Sequence, residues 1–181
     1  MKHLLFYILL FFLIACKSKH LNKTSMQSPE KQIFNLENCP KMSGENAQCS
    51  IKIIPNSTLI IKQDEFQSSY IEIEKGEKTI IKYEFKRNQL PNTVDGHHIE
   101  MIYFEVENDT ESINLVNEEL QSVKMMYGRL CYCKGTSGYF KVSQGSLKFS
   151  NKNNEMTIKL KFKVGKIPQL ISEINETIKL I

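Results

Sequence analysis

Apolar and polar residues alternate through most of the chain after residue 48, and a period of two is typical of β-strands with one buried face. The clearest example is the stretch 156–164, in which apolar residues at every even position alternate with Thr157, Lys159, Lys161 and Lys163. The other stretches that predict strands are 49–53, 58–63, 69–74, 79–86, 99–107, 124–133, 139–142 and 147–149. Turn signals separate these short stretches, so the sequence predicts an all-β fold, an antiparallel sandwich or barrel of about eight strands.

Two positions and one longer stretch interrupt the alternation. Pro55 with Asn56 is expected to end the first strand, because proline lacks the amide that a strand ladder requires. Gly128 lies inside the stretch 124–133 and predicts a bulge there. Residues 108–121 contain apolar residues at helical spacing, and they fit either a short helix or an irregular crossover between strands.

The C-terminal stretch 168–181 is ambiguous between helix and strand. Its apolar residues recur every three or four positions, at Leu170, Ile171, Ile174 and Ile178, and Pro168 suits the first turn of a helix. The β-branched side chains favour a strand instead. The spacing leads us to predict a short C-terminal helix.

The first residues show a different pattern, an almost unbroken apolar run at 4–15 behind Lys2. As a helix this run would span about 18 Å, whereas the hydrocarbon core of a bilayer is roughly 30 Å thick. A positive start, a short apolar core and a small residue before a polar stretch are features of a secretory signal peptide. Residues 1–15 are therefore predicted to be a signal peptide.

The run ends in Leu13-Ile14-Ala15-Cys16, and these four residues resemble the lipobox of bacterial lipoproteins, of Bacteroidota type. The resemblance implies that the Cys16 sulfur receives a diacylglyceryl group and that the peptide before it is removed. It further implies that a fatty acid such as palmitate acylates the new amino terminus. Several acyl chains hold a protein stably on a membrane. Lys17 stands where an aspartate would retain the protein in the inner membrane, so the resemblance implies an outer-membrane protein facing the periplasm.

The predicted organisation is a signal peptide (1–15), a lipidated cysteine with a flexible tether (16–38) and one β-rich domain (39–181). The tether contains few apolar residues and cannot bury enough surface to fold, whereas the domain is long enough for one core. Removal of residues 1–15 takes away Lys2 and no acidic residue, which leaves a formal charge of about +3. This balance and the exported location argue against a nucleic-acid partner, since such proteins carry a clustered basic face.

Four cysteines remain after Cys16, namely Cys39, Cys49, Cys131 and Cys133. Outside the cytoplasm an even number favours disulfides, and four cysteines allow three pairings. On a straight strand Cys131 and Cys133 would lie about 7 Å apart, too far for an easy bridge between them. We therefore expect two cross-links between the 39–49 segment and the 131–133 strand.

The residue types that can carry chemistry are few. His97 and His98, with Asp95 and Glu100 beside them, are candidate ligands for zinc or copper, and Cys131 with Cys133 is a candidate soft-metal or redox pair. Against this, neighbouring histidines on a strand point to opposite faces, so a polar loop and structural disulfides are the simpler interpretation. The chain has no Gly-x-Ser-x-Gly, no His-Glu-x-x-His and no phosphate-binding glycine loop.

The sequence therefore predicts a lipid-anchored envelope protein that binds or supports another envelope component, a protein or a glycan, without a cofactor. A metal-handling or redox protein using His97, His98, Cys131 and Cys133 is the alternative from another class. A third, an envelope hydrolase with dispersed residues, has no motif in its favour. Glu100 and Glu105 are five residues apart on one predicted strand, so they should face opposite sides and not form an acid/base pair.

Overall fold

The computed structural model describes residues 31–37, 39–40, 47–88 and 96–180. These residues form strands and one 3₁₀ helix, η1. The first six strands are β1 (Gln32–Leu36), β2 (Ala47–Gln63), β3 (Ser69–Lys75), β4 (Lys78–Arg87), β5 (His98–Glu107) and β6 (Ser112–Val116). Then follow η1 (Asn117–Val123), β7 (Met126–Cys131), β8 (Gly138–Lys141), β9 (Gly145–Lys152), β10 (Glu155–Phe162) and β11 (Glu173–Lys179). The prediction of an all-β antiparallel fold is confirmed.

The strands form two sheets. The larger has the order β1-β2-β3-β8-β7-β5-β4, and β4 also pairs with β2, so that six strands close into a barrel with β1 alongside β2. The smaller sheet has the order β11-β10-β9-β6. Apolar residues of the smaller sheet and of one face of the larger sheet join one large buried cluster, so the fold combines a barrel with a sandwich layer packed on its outside.

Strand β5 lies at the centre of this arrangement because both of its faces are buried. Ile102, Phe104 and Val106 point to the large cluster, whereas Met101 and Tyr103 point to a second, smaller cluster. A strand covered on two sides needs apolar residues at consecutive positions, and 99–107 shows that near-continuous run. The site described below is built on this strand.

The prediction that Pro55-Asn56 ends a strand is wrong, because both residues lie inside β2, which is 17 residues long. The register between β2 and β4 shifts between Ile54 and Ser57, and Asn56 has a positive φ of 50°. Proline is tolerated at such a bulge, and the extra residue exchanges the two faces of the strand. Thus Ile53 joins the large cluster, whereas Leu59 joins the small one.

The prediction of a C-terminal helix is also wrong, since β11 pairs with β10 along its whole length. Ile174 and Ile178 are buried, and the residues of β11 at odd positions are exposed. Spacing by four fits a strand as well as a helix, so the available partner strand decides the outcome. β1 lies within the stretch predicted to be tether, and the folded domain therefore includes residues before Cys39.

The ambiguous stretch after residue 108 is resolved into β6 followed by the short helix η1. Gly128 does not form a bulge, because β7 keeps its register with β5 through the pair of Gly128 with Met101. A Cβ atom at Gly128 would lie 2.8 Å from the Tyr139 ring. Glycine is therefore required there by close packing of Tyr139 against the sheet.

Candidate functional site

The polar residues of β5 and β7 meet on the face that points to the large cluster. His98 lies opposite Cys131 in the antiparallel register, and Glu100 lies opposite Arg129. Residues two apart on a strand share a face, so these four side chains form one polar group at the end of an otherwise apolar layer. His98, Glu100 and Arg129 are buried.

Glu100 is fully buried and is held by three donors. Its side chain accepts hydrogen bonds from the backbone amides of Leu170 and Ile171, each at 2.9 Å, and from Nε2 of His98 at 2.9 Å. Burial raises the pKa of Glu100, but the hydrogen bonds of His98 and the two amides outweigh it and keep the pKa below its usual value. Glu100 is therefore a buried carboxylate that accepts from the imidazole and fixes its orientation.

The orientation of His98 follows from this contact. An ionised carboxylate can only accept, so Nε2 must carry the hydrogen and Nδ1 remains for another partner. The adjacent His97 is exposed whereas His98 is buried, as the alternation of a strand predicts. Of the two histidines, only His98 belongs to the buried polar group.

The expected cross-links between distant segments are wrong, because the disulfides join Cys39 to Cys49 and Cys131 to Cys133. The estimate of 7 Å assumed a straight strand, but β7 ends at Cys131 and the chain bends at Tyr132. The two Cα atoms are consequently 5.2 Å apart, within the range that a disulfide spans.

Contacts of Arg129 hold the turn that carries Cys133. The Arg129 guanidinium donates to the backbone oxygen of Thr136 at 3.2 Å, and the Ser137 hydroxyl donates to the Arg129 carbonyl at 3.1 Å. Both bonds tie the loop after Cys133 back to β7. Cys133 is thereby positioned near Cys131 by contacts that do not depend on the disulfide.

His98, Cys131 and Cys133 form the candidate site. One ring nitrogen of His98 and the two sulfur atoms all lie within 4.8 Å of one another. The two cysteines are half-buried, so a reagent can reach them from solvent, whereas His98 lies behind them. An imidazole beside a thiol pair can exchange protons with it, and the same three atoms are soft metal ligands when the pair is reduced.

The Cys39–Cys49 disulfide has different surroundings. Cys49 is 4% exposed and belongs to the large cluster, and the Tyr83 hydroxyl donates to its sulfur at 3.2 Å. Burial raises the pKa of Tyr83, so the hydroxyl stays protonated as a donor. This pair fixes the segment around Cys39 to the start of β2, which is a structural task.

Glu105 lies on the other face of β5, as predicted, and it has its own partners. Its carboxylate accepts from the Leu59 amide at 2.8 Å and from the Thr58 hydroxyl at 3.2 Å. The ammonium groups of Lys124 and Lys78 lie 3.0 and 3.3 Å from it. Burial raises the pKa of Glu105, but the Leu59 amide and Lys124 outweigh it and lower the pKa. Two lysines already neutralise this carboxylate, which binds the Leu59 amide of β2 and is not part of the candidate site.

The aromatic residues around β7 are mostly core. Tyr127 is fully buried, and Tyr139 and Phe140 are half-buried. Burial raises the pKa of Tyr127, and the negative charge of Glu100 raises it further. Tyr132 is the exception, since it is 87% exposed in the bend between the two cysteines.

The sequence identified three of the residues that meet here and placed Glu100 near the histidines, but it did not identify Glu100 as the hydrogen-bond partner of His98. Asp95 lies outside the described residues. The pattern His98-x-Glu100 on a predicted strand carried that signal, because residues two apart share a face. The two amides that hold Glu100 come from Leu170 and Ile171, about 70 residues later, and no local pattern could identify them.

No known protein family, no curated protein and no solved structure matches the chain. Among the residues that the structure describes, no helix is long and apolar enough to cross a membrane. The geometry of the site itself is therefore the basis for the proposed function.

Proposed function

We propose that this chain is a lipid-anchored protein of the cell envelope, facing the periplasm, whose β domain accepts electrons from protein thiols through Cys131 and Cys133. The location is supported by the lipobox Leu13-Ile14-Ala15-Cys16 and by the polar stretch behind it. The redox role is supported by one observation above the others, a half-buried cysteine pair beside His98. An oxidising compartment is where such a pair is kept as a disulfide.

The loop lengths support a reactive rather than a structural role for this pair. In the chain-entropy model a loop of three residues stabilises the fold by less than about 2 kcal/mol, and one of eleven residues by about 2.7 kcal/mol. The cross-links expected between the 39–49 segment and the 131–133 strand would close loops of roughly 90 residues and would each stabilise the fold by about 4–5 kcal/mol. Opening Cys131–Cys133 therefore removes little stability, and the domain stays folded when the pair is reduced.

The exchange follows ordinary thiol chemistry. A thiolate of a reduced protein attacks one sulfur of the pair, a mixed disulfide forms, and the other cysteine leaves as a thiolate. This thiolate takes up the proton that the attacking substrate thiol lost, and His98 is near enough to relay it. The second thiol of the substrate then attacks the mixed disulfide and releases the remaining cysteine. Two electrons and two protons pass to the pair, and the substrate leaves with a disulfide.

The test uses the full-length protein in detergent and a reduced, denatured ribonuclease as the dithiol substrate. We expect up to one disulfide to be transferred per molecule, with new thiols at Cys131 and Cys133 detected by alkylation and mass spectrometry. The double variant Cys131→Ser with Cys133→Ser should transfer none, whereas the matched control Cys39→Ser with Cys49→Ser should still transfer. Equal transfer by the Cys131/Cys133 variant and the native protein would refute the redox role.

The anchor is tested separately through Cys16. In Cys16→Ser we expect no incorporation of labelled palmitate and release of the protein from the membrane fraction, because a thioether-linked lipid requires the sulfur. A protein that stays membrane-bound and labelled after this substitution would contradict the lipoprotein assignment. Protease digestion of intact and permeabilised cells then distinguishes a periplasmic from a surface-exposed domain.

Binding of an envelope glycan or protein is the second candidate function, and one cleft favours it. A polar cleft of about 830 Å³ is lined by residues that include Gln67, Ser137, Tyr139 and Gln144. Amide and hydroxyl groups beside an aromatic ring suit a sugar. Calorimetric titration with peptidoglycan fragments should give binding that Gln67→Ala with Gln144→Ala weakens, and no heat with the native protein would exclude this ligand.

A further inference from the structure

We infer that the reduced pair is also a metal site, in which Cys131, Cys133 and His98 bind one monovalent copper ion. The inference rests on the proposed function only in requiring that the disulfide can be opened. Thiol and imidazole side chains are the donors that soft or borderline ions prefer. The site is thus a sulfur and nitrogen centre that the redox state of the cysteines opens or closes.

The distances among the donors suit a single ion. With metal–sulfur bonds of about 2.3 Å and metal–nitrogen bonds of about 2.0 Å, donors around one ion lie roughly 3.6–4.0 Å apart. The three atoms here lie within 4.8 Å of one another while the sulfurs are still bonded. Reduction lets the sulfurs separate, and the contacts of Arg129 with Thr136 keep the Cys133 loop in place. A small movement of the side chains is then enough to surround an ion.

Glu100 holds the His98 ring in a fixed orientation, as a carboxylate commonly does for a histidine ligand. A ligating imidazole commonly donates its second N–H to a carboxylate, which fixes the ring and raises its basicity. His98 donates Nε2–H to Glu100 at 2.9 Å, so Nδ1 is the nitrogen that binds the ion. The amides of Leu170 and Ile171 in turn hold Glu100, so the ring is fixed before an ion arrives.

The softness of the donors favours monovalent copper over zinc. Structural zinc sites have four protein ligands, and zinc sites with three, such as two cysteines and one histidine, keep a water molecule in the fourth position. In the described part of the chain, only three such side chains converge here, and the exposed His97 is not one of them. Thiolates select monovalent copper among the soft ions, and three ligands satisfy it.

The disulfide is reduced before the ion binds, and the oxidation state of copper does not change. A dithiol reductant delivers two electrons and two protons to the disulfide, leaving thiol groups on Cys131 and Cys133, and is itself oxidised to a disulfide. Monovalent copper then displaces the thiol protons as two copper–sulfur bonds form. Reoxidation of the cysteines would release the ion, so metal binding and electron acceptance exclude one another at this site.

The test begins with the full-length protein in detergent, reduced with dithiothreitol and freed of it without oxygen. Copper(I) is titrated in competition with bicinchoninate, and X-ray absorption identifies the ligands. We expect one ion per chain, with two sulfur atoms and one nitrogen around it, and zinc binding at least about 100-fold weaker. Failure to bind copper by the reduced native protein, or zinc affinity equal to that for copper, would overturn the inference.

Variants assign the ligands. The double variant Cys131→Ser with Cys133→Ser should lose the copper, whereas Cys39→Ser with Cys49→Ser should keep one ion with the same spectrum. His98→Gln should lose the nitrogen signal while the two sulfur signals remain. Glu100→Gln should weaken binding about tenfold to 100-fold with unchanged stoichiometry. Retention of the nitrogen signal in His98→Gln would refute the assigned ligand.

The outcomes of the two proposals can be separated. A protein that transfers its disulfide to ribonuclease but binds no copper when reduced refutes the metal site and leaves the redox role standing. A protein that binds copper with the expected ligands after chemical reduction, yet transfers no disulfide, refutes the redox role alone. Circular dichroism of each variant, with the Cys39–Cys49 pair counted by alkylation, shows whether that variant is folded.

Discussion

The two faces of β5 carry two buried glutamates with different surroundings. Glu105 points into the barrel, where Lys78 and Lys124 neutralise it and the Leu59 amide binds it. Glu100 points into the sandwich layer, where no lysine contacts it among the described residues and its partners are two amides and His98. The charge of Glu105 is neutralised by its lysines, so its role is structural. Glu100 instead fixes the orientation of the His98 ring, which a ligand or proton-transfer role requires.

The largest effect we expect is on replacing Glu100 with alanine. The substitution leaves the amides of Leu170 and Ile171 and the His98 N–H without their acceptor in a buried place, and each such loss costs about 1–3 kcal/mol. Urea unfolding should show a loss of about 4 kcal/mol in Glu100→Ala, against about 2–3 kcal/mol in Glu105→Ala, whose lysines turn to solvent. A loss in Glu105→Ala that equals or exceeds the loss in Glu100→Ala would break the comparison.

A smaller effect distinguishes the two lysines of the barrel. The side chains of Lys78 and Lys124 are 34% and 38% exposed, so solvent weakens both ion pairs, but Lys124 also donates to the Leu59 carbonyl at 2.8 Å. We expect Lys124→Met to lower the free energy of unfolding by about 1.5 kcal/mol and Lys78→Met by about 0.5 kcal/mol. Lys78 has a second partner in Glu107 at 2.9 Å, but that carboxylate is 62% exposed, so equal losses in thermal or urea unfolding would show that the Leu59 bond contributes no more than this exposed ion pair.

The smallest expected effect is on how the free energy of unfolding depends on pH below about pH 4.5. Because the folded-state pKa of Glu105 lies below its ordinary value of 4.5, its contribution is fully present above about pH 4.5 and is lost as the pH falls through the lower folded value. In Glu105→Gln the free energy of unfolding should therefore fall less steeply below pH 4.5 than in the native protein. A steeper fall in the variant would contradict the sign of the shift.

Much of the barrel could be predicted from the sequence, because strands with one covered face alternate and their turns carry Gly, Asn or Pro. The additional strands β1, β6 and β11 are harder to predict, since each lies at a sheet edge and pairs with a single strand. Ile174 and Ile178 illustrate the difficulty, because a spacing of four is compatible with helix and strand until β10 is known to be free.

The residues of the candidate site could be predicted from the sequence, but their arrangement in space could not. His98, Cys131 and Cys133 are visible in the sequence, but their contact depends on the antiparallel register of β5 with β7. The bend at Tyr132, which brings Cys133 back to Cys131, has no proline or glycine to indicate it before Gly135. The disulfide pairing was wrong for this reason, since a regular strand was assumed where the chain turns.

The most direct test of the account compares the two disulfides in the folded protein. The native protein is exposed to rising dithiothreitol without denaturant, and each cysteine is counted by alkylation and mass spectrometry. We predict that Cys131 and Cys133 appear as thiols first, with circular dichroism unchanged, while the pair containing Cys49, which is 4% exposed, stays oxidised. Reduction of both pairs together, in step with loss of structure, would contradict the claim that Cys131 and Cys133 form the reactive pair.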